Sequence, residues 1–271
     1  MKTFQKYFIV SVLMIFFACF SAVSFSQPAG QKDQTLDELL KQCDNYLDVS
    51  FDNQKALEVL QKADKQFPNN WEVYWRLSRV YVYMAEKMPN KTGAQKDAQL
   101  AVYQKAYNYA DQSVKLAPDK SVTYLRRAIA NGRIALFKGV FSVAGVVNAV
   151  KADCDKAISL GNGGNYVQAL AHYVLARTND KVSEKWAPAR AVLGLGWANL
   201  DRAISEYNIA IKLYPNFRMF YLDLAKAYIK HDEYSKARDM LNKVIASPKR
   251  DENDDEQLAE AKSLLEKIKN E

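Results

Sequence analysis

Three prolines stand at matching places in three copies of one sequence pattern. Each proline follows an apolar run, has an alanine twelve positions before it and has a tyrosine six positions after it. The residues concerned are Ala56, Pro68 and Tyr74; Ala106, Pro118 and Tyr124; and Ala203, Pro215 and Tyr221. Proline lacks the amide hydrogen that would continue a helix, so each should end one helix where the next can begin. The small alanine permits a close helix crossing, and the pattern therefore predicts repeated helix pairs.

Apolar residues keep a helical period along most of the chain, with breaks at short polar or glycine-containing stretches. The breaks define five pairs: 36–47 with 56–67, 71–87 with 97–116, 122–137 with 146–160, 166–177 with 200–214, and 219–231 with 234–246. A last helix after the acidic stretch 251–256 can cap the open end of the stack. The sequence therefore predicts one all-α domain over 34–271, an α-solenoid of about five helix pairs plus a C-terminal capping helix, without a sheet.

The spacing of the prolines shows that the repeat is interrupted. Pro215 and Pro248 are 33 residues apart, whereas Pro68 and Pro118 are 50 apart. The extra residues fall between the helices of a pair, in the stretches 88–96, 138–145 and 178–199. The last two are apolar and rich in glycine, so we expect them either to fill the concave side of the solenoid or to contact an apolar partner.

The N-terminus has the features of a secretion signal. Lys2 and Lys6 give it a positive start, the stretch 7–25 is uncharged and apolar, and Ser24 and Ser26 are small residues at the positions that a signal peptidase reads. We predict a signal peptide over 1–26, a short linker over 27–33, and an exported chain that is periplasmic or secreted.

Two alternatives for this segment place the chain at a membrane. The 19 residues 7–25 are long enough to remain as a membrane anchor. Cys19 is a candidate for lipidation, although Phe16-Phe17-Ala18 before it is a poor match to the sequence expected there. Membrane association is expected only if the leader is retained or lipidated.

The charge of the chain does not indicate a nucleic-acid binder. The 38 Lys and Arg exceed the 31 Asp and Glu by seven, and Lys2 and Lys6 of the leader account for two of these. The basic residues are spread along helix faces with acidic residues between them, as in 236–239, rather than gathered into a patch. Solvated helix surface is the interpretation that this pattern favours.

Cys43 and Cys154 are the two cysteines outside the leader. In an oxidising compartment they could form a disulfide. Both lie within helical patterns far apart in sequence, so a pair of buried free thiols is an equal alternative.

The residues after two of the prolines resemble the first-helix signature of tetratricopeptide repeats. These residues are Tyr74, Leu77 and Tyr81 after Pro68, and Tyr221, Leu224, Ala225 and Tyr228 after Pro215. The copy after Pro118 departs from that signature, because Arg127 and Asn131 stand where leucine and tyrosine are usual. The resemblance implies a tetratricopeptide-like fold.

Further motifs resemble the regulator-of-microtubule-dynamics family in their order and irregular spacing. They are Trp75-Arg76-Leu77-Ser78-Arg79, Asp155-Lys156-Ala157-Ile158-Ser159-Leu160, Leu175-Ala176-Arg177, and Pro215-Asn216-Phe217 followed by Leu224-Ala225-Lys226-Ala227-Tyr228. The resemblance spans roughly 71–265 and implies a helical domain without catalysis. Animal members of that family are linked to microtubules and organelle contacts, whereas the leader of this chain predicts export.

The sequence contains no recognisable catalytic or metal-binding motif. The two histidines, His172 and His231, are not spaced as metal ligands, and no nucleophile elbow or zinc-type cysteine pair occurs. The glycine-rich stretch 161–164 lacks the Lys-Ser/Thr of a phosphate loop, and 193–196 lacks the third glycine of a dinucleotide fingerprint. We therefore predict that the chain is not an enzyme and uses no cofactor or metal.

In a stack of such pairs, one face of each first helix lines a concave groove. Counting from the repeat tyrosines places eleven residues there: Trp75, Arg79, Tyr83, Leu125, Ile129, Arg133, Gln168, His172, Leu222, Lys226 and Lys230. Apolar and basic side chains together suit an acidic peptide or an amphiphile with an acidic head. The leading hypothesis is a non-catalytic scaffold that binds a protein or peptide segment in the groove. The alternative is a carrier of a lipid or other amphiphilic small molecule.

Overall fold

The computed structural model describes residues 34–250 and 252–271, and within them the regular structure is entirely helical. The predicted signal peptide and linker lie outside the described residues. The helices are α1 Leu36–Asp48, α2 Asn53–Gln66, α3 Trp71–Glu86, α4 Gly93–Leu116, α5 Ser121–Lys138, α6 Ala144–Leu160, α7 Gly164–Ser183, α8 Ala187–Val192, α9 Leu200–Leu213, α10 Arg218–Lys230, α11 Tyr234–Ala246 and α12 Asp254–Lys267. A short 3₁₀ helix, Val140–Val143, precedes α6.

The helices pack as five consecutive pairs with a capping helix. The pairs are α1 with α2, α3 with α4, α5 with α6, α7 with α9, and α10 with α11. The twelfth helix, α12, packs on both α10 and α11 and covers the end of the stack. The predicted tetratricopeptide-like solenoid of five pairs plus a C-terminal capping helix is confirmed.

The proline pattern fixes where the second helix of a pair ends and the next pair begins. The helices α2, α4 and α9 each stop two residues before the proline, and the residue between closes the last turn with an N–H···O=C bond to the residue four positions back, at 2.8–2.9 Å. The alanines twelve positions earlier are fully buried, as the close crossing requires. Two of the tyrosines bind the turn itself, since the Tyr221 hydroxyl donates to the Pro215 carbonyl at 2.6 Å and the Tyr74 hydroxyl accepts from the Asn69 amide at 3.1 Å.

Arg127, the departure from the repeat signature, ties three helices together. Its guanidinium on α5 makes a two-pronged contact with Asp153 of α6 at 2.8 and 2.9 Å, and a third hydrogen bond to Asp111 of α4 at 2.8 Å. The two carboxylates raise the pKa of Arg127, with the Asp153 hydrogen bond as the largest cause. The arginine that stands in place of the usual apolar residue thus satisfies the buried carboxylate of Asp153 within its own pair and joins that pair to α4 of the preceding one.

The two apolar insertions pack against each other. Val147, Val182 and Leu195 are buried in one small cluster, and Trp197 closes it by donating its indole N–H to Asn148 at 2.8 Å. Helix α7 ends at Ser183, six residues beyond the predicted end at Arg177, and Val182 is buried in this additional part of the helix. The short helix α8, which the sequence did not predict, begins next to Pro188, whose fixed φ suits a first turn.

The two cysteines are free and buried, and they lie on α1 and α6. Burial raises the pKa of the Cys43 thiol to about 12 and that of Cys154 well above its usual value. Both groups are therefore protonated thiols at neutral pH. Of the two alternatives, the structure shows the buried free thiols.

The last turn of the solenoid reaches back to its first pairs. The loop before α12 contacts the start of α2, where Asn53 donates to Glu252 at 3.0 Å, and the end of α3, where Lys87 donates to Asn253 at 2.6 Å. These contacts join residues 199 and 166 positions apart in sequence. The loop 252–253 therefore forms a closure between the last helix of the solenoid and its first two pairs.

We expect the substitution Lys87→Ala to loosen this closure while changing the free energy of unfolding by less than about 1 kcal/mol, because the ion pair with Glu252 is solvent-accessible. Amide hydrogen exchange at Glu252 and Asn253 should become faster. Lys41→Ala, which removes an exposed pair within α1, is the control and should leave exchange there unchanged. Equal exchange in the Lys87 variant and the wild type would show that the contact does not hold the loop.

Among the described residues, none of the helices combines the length and apolar character needed to cross a membrane.

Candidate functional site

A cavity of about 140 Å³ opens on the concave side of the solenoid. Its walls come mainly from the first helices of the second, third and fourth pairs, α3, α5 and α7, and also include Phe217 and Met219 at the start of α10 and Asn253 before α12. Side chains of the insertion cluster, including Val147 and Val182, form part of the wall without filling the space. The cavity therefore stays open beside the cluster that the two insertions form.

Most of the cavity wall is apolar or aromatic. The residues of this kind are Val82, Tyr83, Ile129, Ala135, Leu136, Val147, Val150, Tyr166, Leu170, Tyr173, Val174, Val182, Phe217 and Met219. Aromatic rings of the wall pack against other rings. Tyr166 contacts Tyr214 edge-on, with 5.1 Å between the ring centroids, and the ring centroids of Tyr173 and Phe220 are 4.8 Å apart. The wall is thus a packed surface rather than a set of mobile side chains.

The charged residues of the wall are predominantly basic. Among the described residues that line the cavity, five are basic, namely Arg79, Arg126, Arg133, Arg177 and Lys181, and one, Glu86, is acidic. Three of the arginines have an acidic partner: Arg79 pairs with Asp48, Arg133 with Glu86, and Arg177 with Asp223 at 3.3 Å. The cavity therefore combines an apolar wall with an excess of positive charge.

Arg126 differs from these three arginines because it has no acidic partner. Arg126 is only 4% exposed. No hydrogen bond or ion pair joins its side chain to any residue in the described part of the chain. Its guanidinium lies over the Trp75 ring, 5.4 Å from the centroid. Burial, followed by the nearby charge of Arg79, lowers the pKa of Arg126.

Two tyrosine hydroxyls in the wall stay protonated at neutral pH. Burial raises the pKa of Tyr166 to about 12, although the charges of Arg79 and Arg126 act in the opposite direction. Burial also raises the pKa of Tyr173, which donates a hydrogen bond to Asp223 at 2.6 Å. At neutral pH both groups can donate a hydrogen bond, and neither serves as a base.

Four of the eleven groove residues predicted from the sequence line the cavity: Arg79, Tyr83, Ile129 and Arg133. They lie on α3 and α5, whose register can be counted from the repeat prolines. Trp75 lies one turn before Arg79, where its ring contacts the guanidinium of Arg76 at 4.1 Å and that of Arg126.

Three other predicted residues serve the packing of the fold. Leu125 and Leu222 are buried in the core, at 0% and 2% exposure. Gln168 holds the turn before α7, since its amide donates to the carbonyl of Asn162 at 2.9 Å and to Ser121 Oγ at 3.2 Å. None of these three side chains lines the cavity.

The remaining predicted residues are engaged in polar contacts elsewhere. His172 on α7 lies 2.6 Å from Glu206 on α9, within its own helix pair. Lys226 pairs with Glu260 of α12 at 2.8 Å, because the capping helix occupies that side of α10. Lys230 pairs with Asp180 of α7 at 2.6 Å.

Four residues that define the site on α5 and α7 were not predicted from the sequence: Arg126, Tyr166, Tyr173 and Arg177. On α7 the wall follows the helical spacing Tyr166, Leu170, Tyr173 and Arg177. That face is a recognisable stripe, but α7 begins after glycines rather than after a proline, so its register had no reference point.

The described residues contain no group of three or more His, Cys, Asp or Glu side chains arranged to hold a metal ion. Neither histidine borders the cavity, since His172 faces Glu206 and His231 faces Asp201. The side chains that line the cavity are mostly apolar or aromatic, with basic groups among them.

The fold and the cavity define a tetratricopeptide-like helical-repeat protein with a basic site on its concave side. The sequence model described as regulator of microtubule dynamics protein 1-3 matches residues 39–269, so the chain belongs to that family.

Solved structures with similar helical folds include two bacterial proteins. One is TTC0263 from Thermus thermophilus, described as a thermophilic TPR protein, with 16% identity, a TM-score of 0.49, and coverage of 72% of this chain and 82% of the other. The second is MamA, from residue 41 to its end, from Desulfovibrio magneticus, with 14% identity, a TM-score of 0.47, and coverage of 78% and 93%. A search of curated proteins gave no match.

Proposed function

We propose that the chain is a non-catalytic scaffold that binds a segment of a partner protein in its concave cavity. The observation that carries this proposal is an open cavity with an apolar wall, formed by the first helices of three successive pairs and edged by basic side chains. Repeat solenoids use such concave surfaces for binding. An acidic segment with an apolar side chain complements both properties of the wall.

The size of the cavity supports insertion of a single side-chain-sized group. A cavity of about 150 Å³ lined by apolar side chains holds a molecule the size of benzene. The cavity here, at about 140 Å³, is in that range. The bound segment would therefore anchor one apolar side chain in the cavity and lie along the basic residues around it.

A second candidate is an amphiphilic small molecule with an acidic head. The observation that favours it is the predominantly apolar wall, which includes Val82 and, from the insertion cluster, Val147 and Val182. Native mass spectrometry of the purified protein tests it. Co-purification of one small acid in stoichiometric amount would support this candidate, and the absence of any adduct together with no lipid uptake on titration would exclude it.

We also propose that binding takes place outside the cytoplasm. The sequence of the leader supports export, and with it a partner in the periplasm or outside the cell. N-terminal sequencing of the mature protein tests this: a start at residue 27 supports removal of the leader, and a start at Met1 contradicts it.

Gly132 offers a direct test of the cavity. It lies in the middle of α5 and lines the cavity, and a Cβ placed on it would meet no atom within 4 Å. We expect Gly132→Met to place its side chain in the cavity and to stabilise the domain by up to about 1 kcal/mol, because glycine is a poor helix former. Peptides selected from a random library on the wild-type protein should bind this variant about tenfold more weakly or worse.

The matched control is Gly145→Met. Gly145 also lies in a helix, and a Cβ placed on it would likewise meet no atom within 4 Å, but this residue does not line the cavity. Peptide affinity should be unchanged in this variant. Selected peptides that bind the Gly132 variant as tightly as the wild type would place the binding site elsewhere on the domain.

A further inference from the structure

Arg126 is a buried cation in the cavity wall that has no carboxylate partner among the described residues. Burying a cation without a counter-ion costs several kcal/mol, so buried arginines in proteins are normally paired. Arg79, Arg133 and Arg177 follow this rule with Asp48, Glu86 and Asp223. Arg126 is at least as buried as these three, yet its Nε has no hydrogen-bond partner among the described residues.

The surroundings of Arg126 compensate its charge only in part. The face of the Trp75 ring stabilises the cation at 5.4 Å, whereas the neighbouring Arg79 repels it. Asp48 lies near enough to act on Arg126 through space, but its carboxylate bonds directly to Arg79. The guanidinium of Arg126 is therefore available in the cavity wall to pair with the anionic group of a ligand.

The rest of the wall limits the kind of anion. A carboxylate matches the planar fork of an arginine with two parallel hydrogen bonds. Val82, Ile129 and Leu170 in the same wall offer no partner for a second charge, and they lose contact energy if the space beside the anion stays empty. The complementary ligand therefore carries its carboxylate on an apolar body of about one side chain.

We propose that the cavity binds an apolar group that carries a carboxylate, with the carboxylate on Arg126 and the apolar group against Val82, Ile129 and Leu170. The carboxy-terminal residue of a peptide has this chemistry when its side chain is apolar, because the α-carboxylate and the side chain belong to one residue. A medium-chain fatty acid has the same chemistry. A peptide ligand would depend on the proposed function as a scaffold for a protein segment, whereas a fatty-acid ligand would not.

The test is a titration followed by the fluorescence of the tryptophans, with calorimetry as the second readout. The probes are an eight-residue peptide that ends in leucine with a free carboxylate, the same peptide with a C-terminal amide, octanoate, and octanol. We expect a ligand with a free carboxylate to bind about tenfold or more tightly than its uncharged counterpart, as the loss of a charged hydrogen bond implies.

Two substitutions assign the effect to Arg126. In Arg126→Gln the advantage of the carboxylate should disappear, while binding of the uncharged counterpart should stay the same. Lys41→Gln removes a basic residue that is exposed, paired with Asp37 and not part of the cavity wall, and should change the affinity less than about threefold. Without ligand, Arg126→Met should melt at a higher temperature than the wild type, because it removes an unpaired buried charge. A residue with only a structural role would give a lower melting temperature.

The outcomes separate this inference from the proposed function. Equal binding of the acid and amide peptides would overturn the inference and leave the scaffold proposal standing. Binding of octanoate but not of the peptide would support carboxylate recognition by Arg126 and contradict the protein-segment proposal. An unchanged preference for the acid in Arg126→Gln, or no binding of either acid at millimolar concentration, would overturn the inference.

Discussion

Replacing Arg127 by alanine should destabilise the domain by about 3–5 kcal/mol, the usual cost of breaking a buried ion pair by removing one partner. The side chain of Asp153 is 8% exposed, and its two hydrogen bonds to Arg127 join α5 to α6. Without the guanidinium this carboxylate is left buried and unpaired. Urea unfolding followed by circular dichroism measures the loss as a lower midpoint with an unchanged slope.

Two further variants make this prediction specific. Lys115→Ala removes the other basic partner of Asp111, but its side chain is 72% exposed, so the free energy of unfolding should change by less than about 1 kcal/mol. The double substitution Arg127→Leu with Asp153→Leu should recover most of the loss, because it removes both charges from the buried site. A single Arg127→Ala variant as stable as the wild type would show that the three-helix bridge contributes nothing to the fold.

Phe220→Ala should cost about 3–5 kcal/mol, as expected for removing a fully buried aromatic ring. Phe220 is 0% exposed on α10, with Phe217 at 5.0 Å and Tyr173 at 4.8 Å between ring centroids. The void would lie directly behind two residues of the cavity wall. Binding of a selected peptide should therefore weaken as well, even under conditions in which the variant is fully folded.

The conservative variant Phe220→Leu is the control for this prediction. It keeps most of the buried volume and should lose less stability than Phe220→Ala. Peptide affinity at a temperature well below both unfolding transitions should follow the order wild type, leucine variant, alanine variant. A destabilised alanine variant with wild-type affinity would show that the cavity wall does not depend on the core behind it.

The helix pairs could be predicted from the sequence because the residues that end each helix act on their immediate neighbours. A proline such as Pro215 acts on the residues next to it, and the tyrosine six positions later packs against the same turn. Counting along α3 from the repeat proline selected Arg79 and Tyr83, which line the cavity, and Trp75, which does not. On α5 the same count selected Ile129 and Arg133, which line it, and Leu125, which is in the core.

The rest of the site depends on contacts between distant segments, which no local pattern encodes. Arg126 stands one position after the predicted Leu125, and only the packing of α5 against α3 and α7 decides which of the two is in the core. The groove side of α10 could not be predicted, because α12 folds back over Lys226. The closure by Asn253 joins residues 166 positions apart.

The claim that the concave cavity binds the partner segment is tested most directly by methyl NMR of the protein with a library-selected peptide. Val82, Ile129 and Leu170 report from the cavity wall, whereas Val49 and Ile209 report from exposed positions, 68% and 38% accessible, outside it. Binding in the cavity predicts large shifts of the first three methyl signals and none of the last two. Shifts at Val49 or Ile209 with an unchanged Ile129 signal would contradict it.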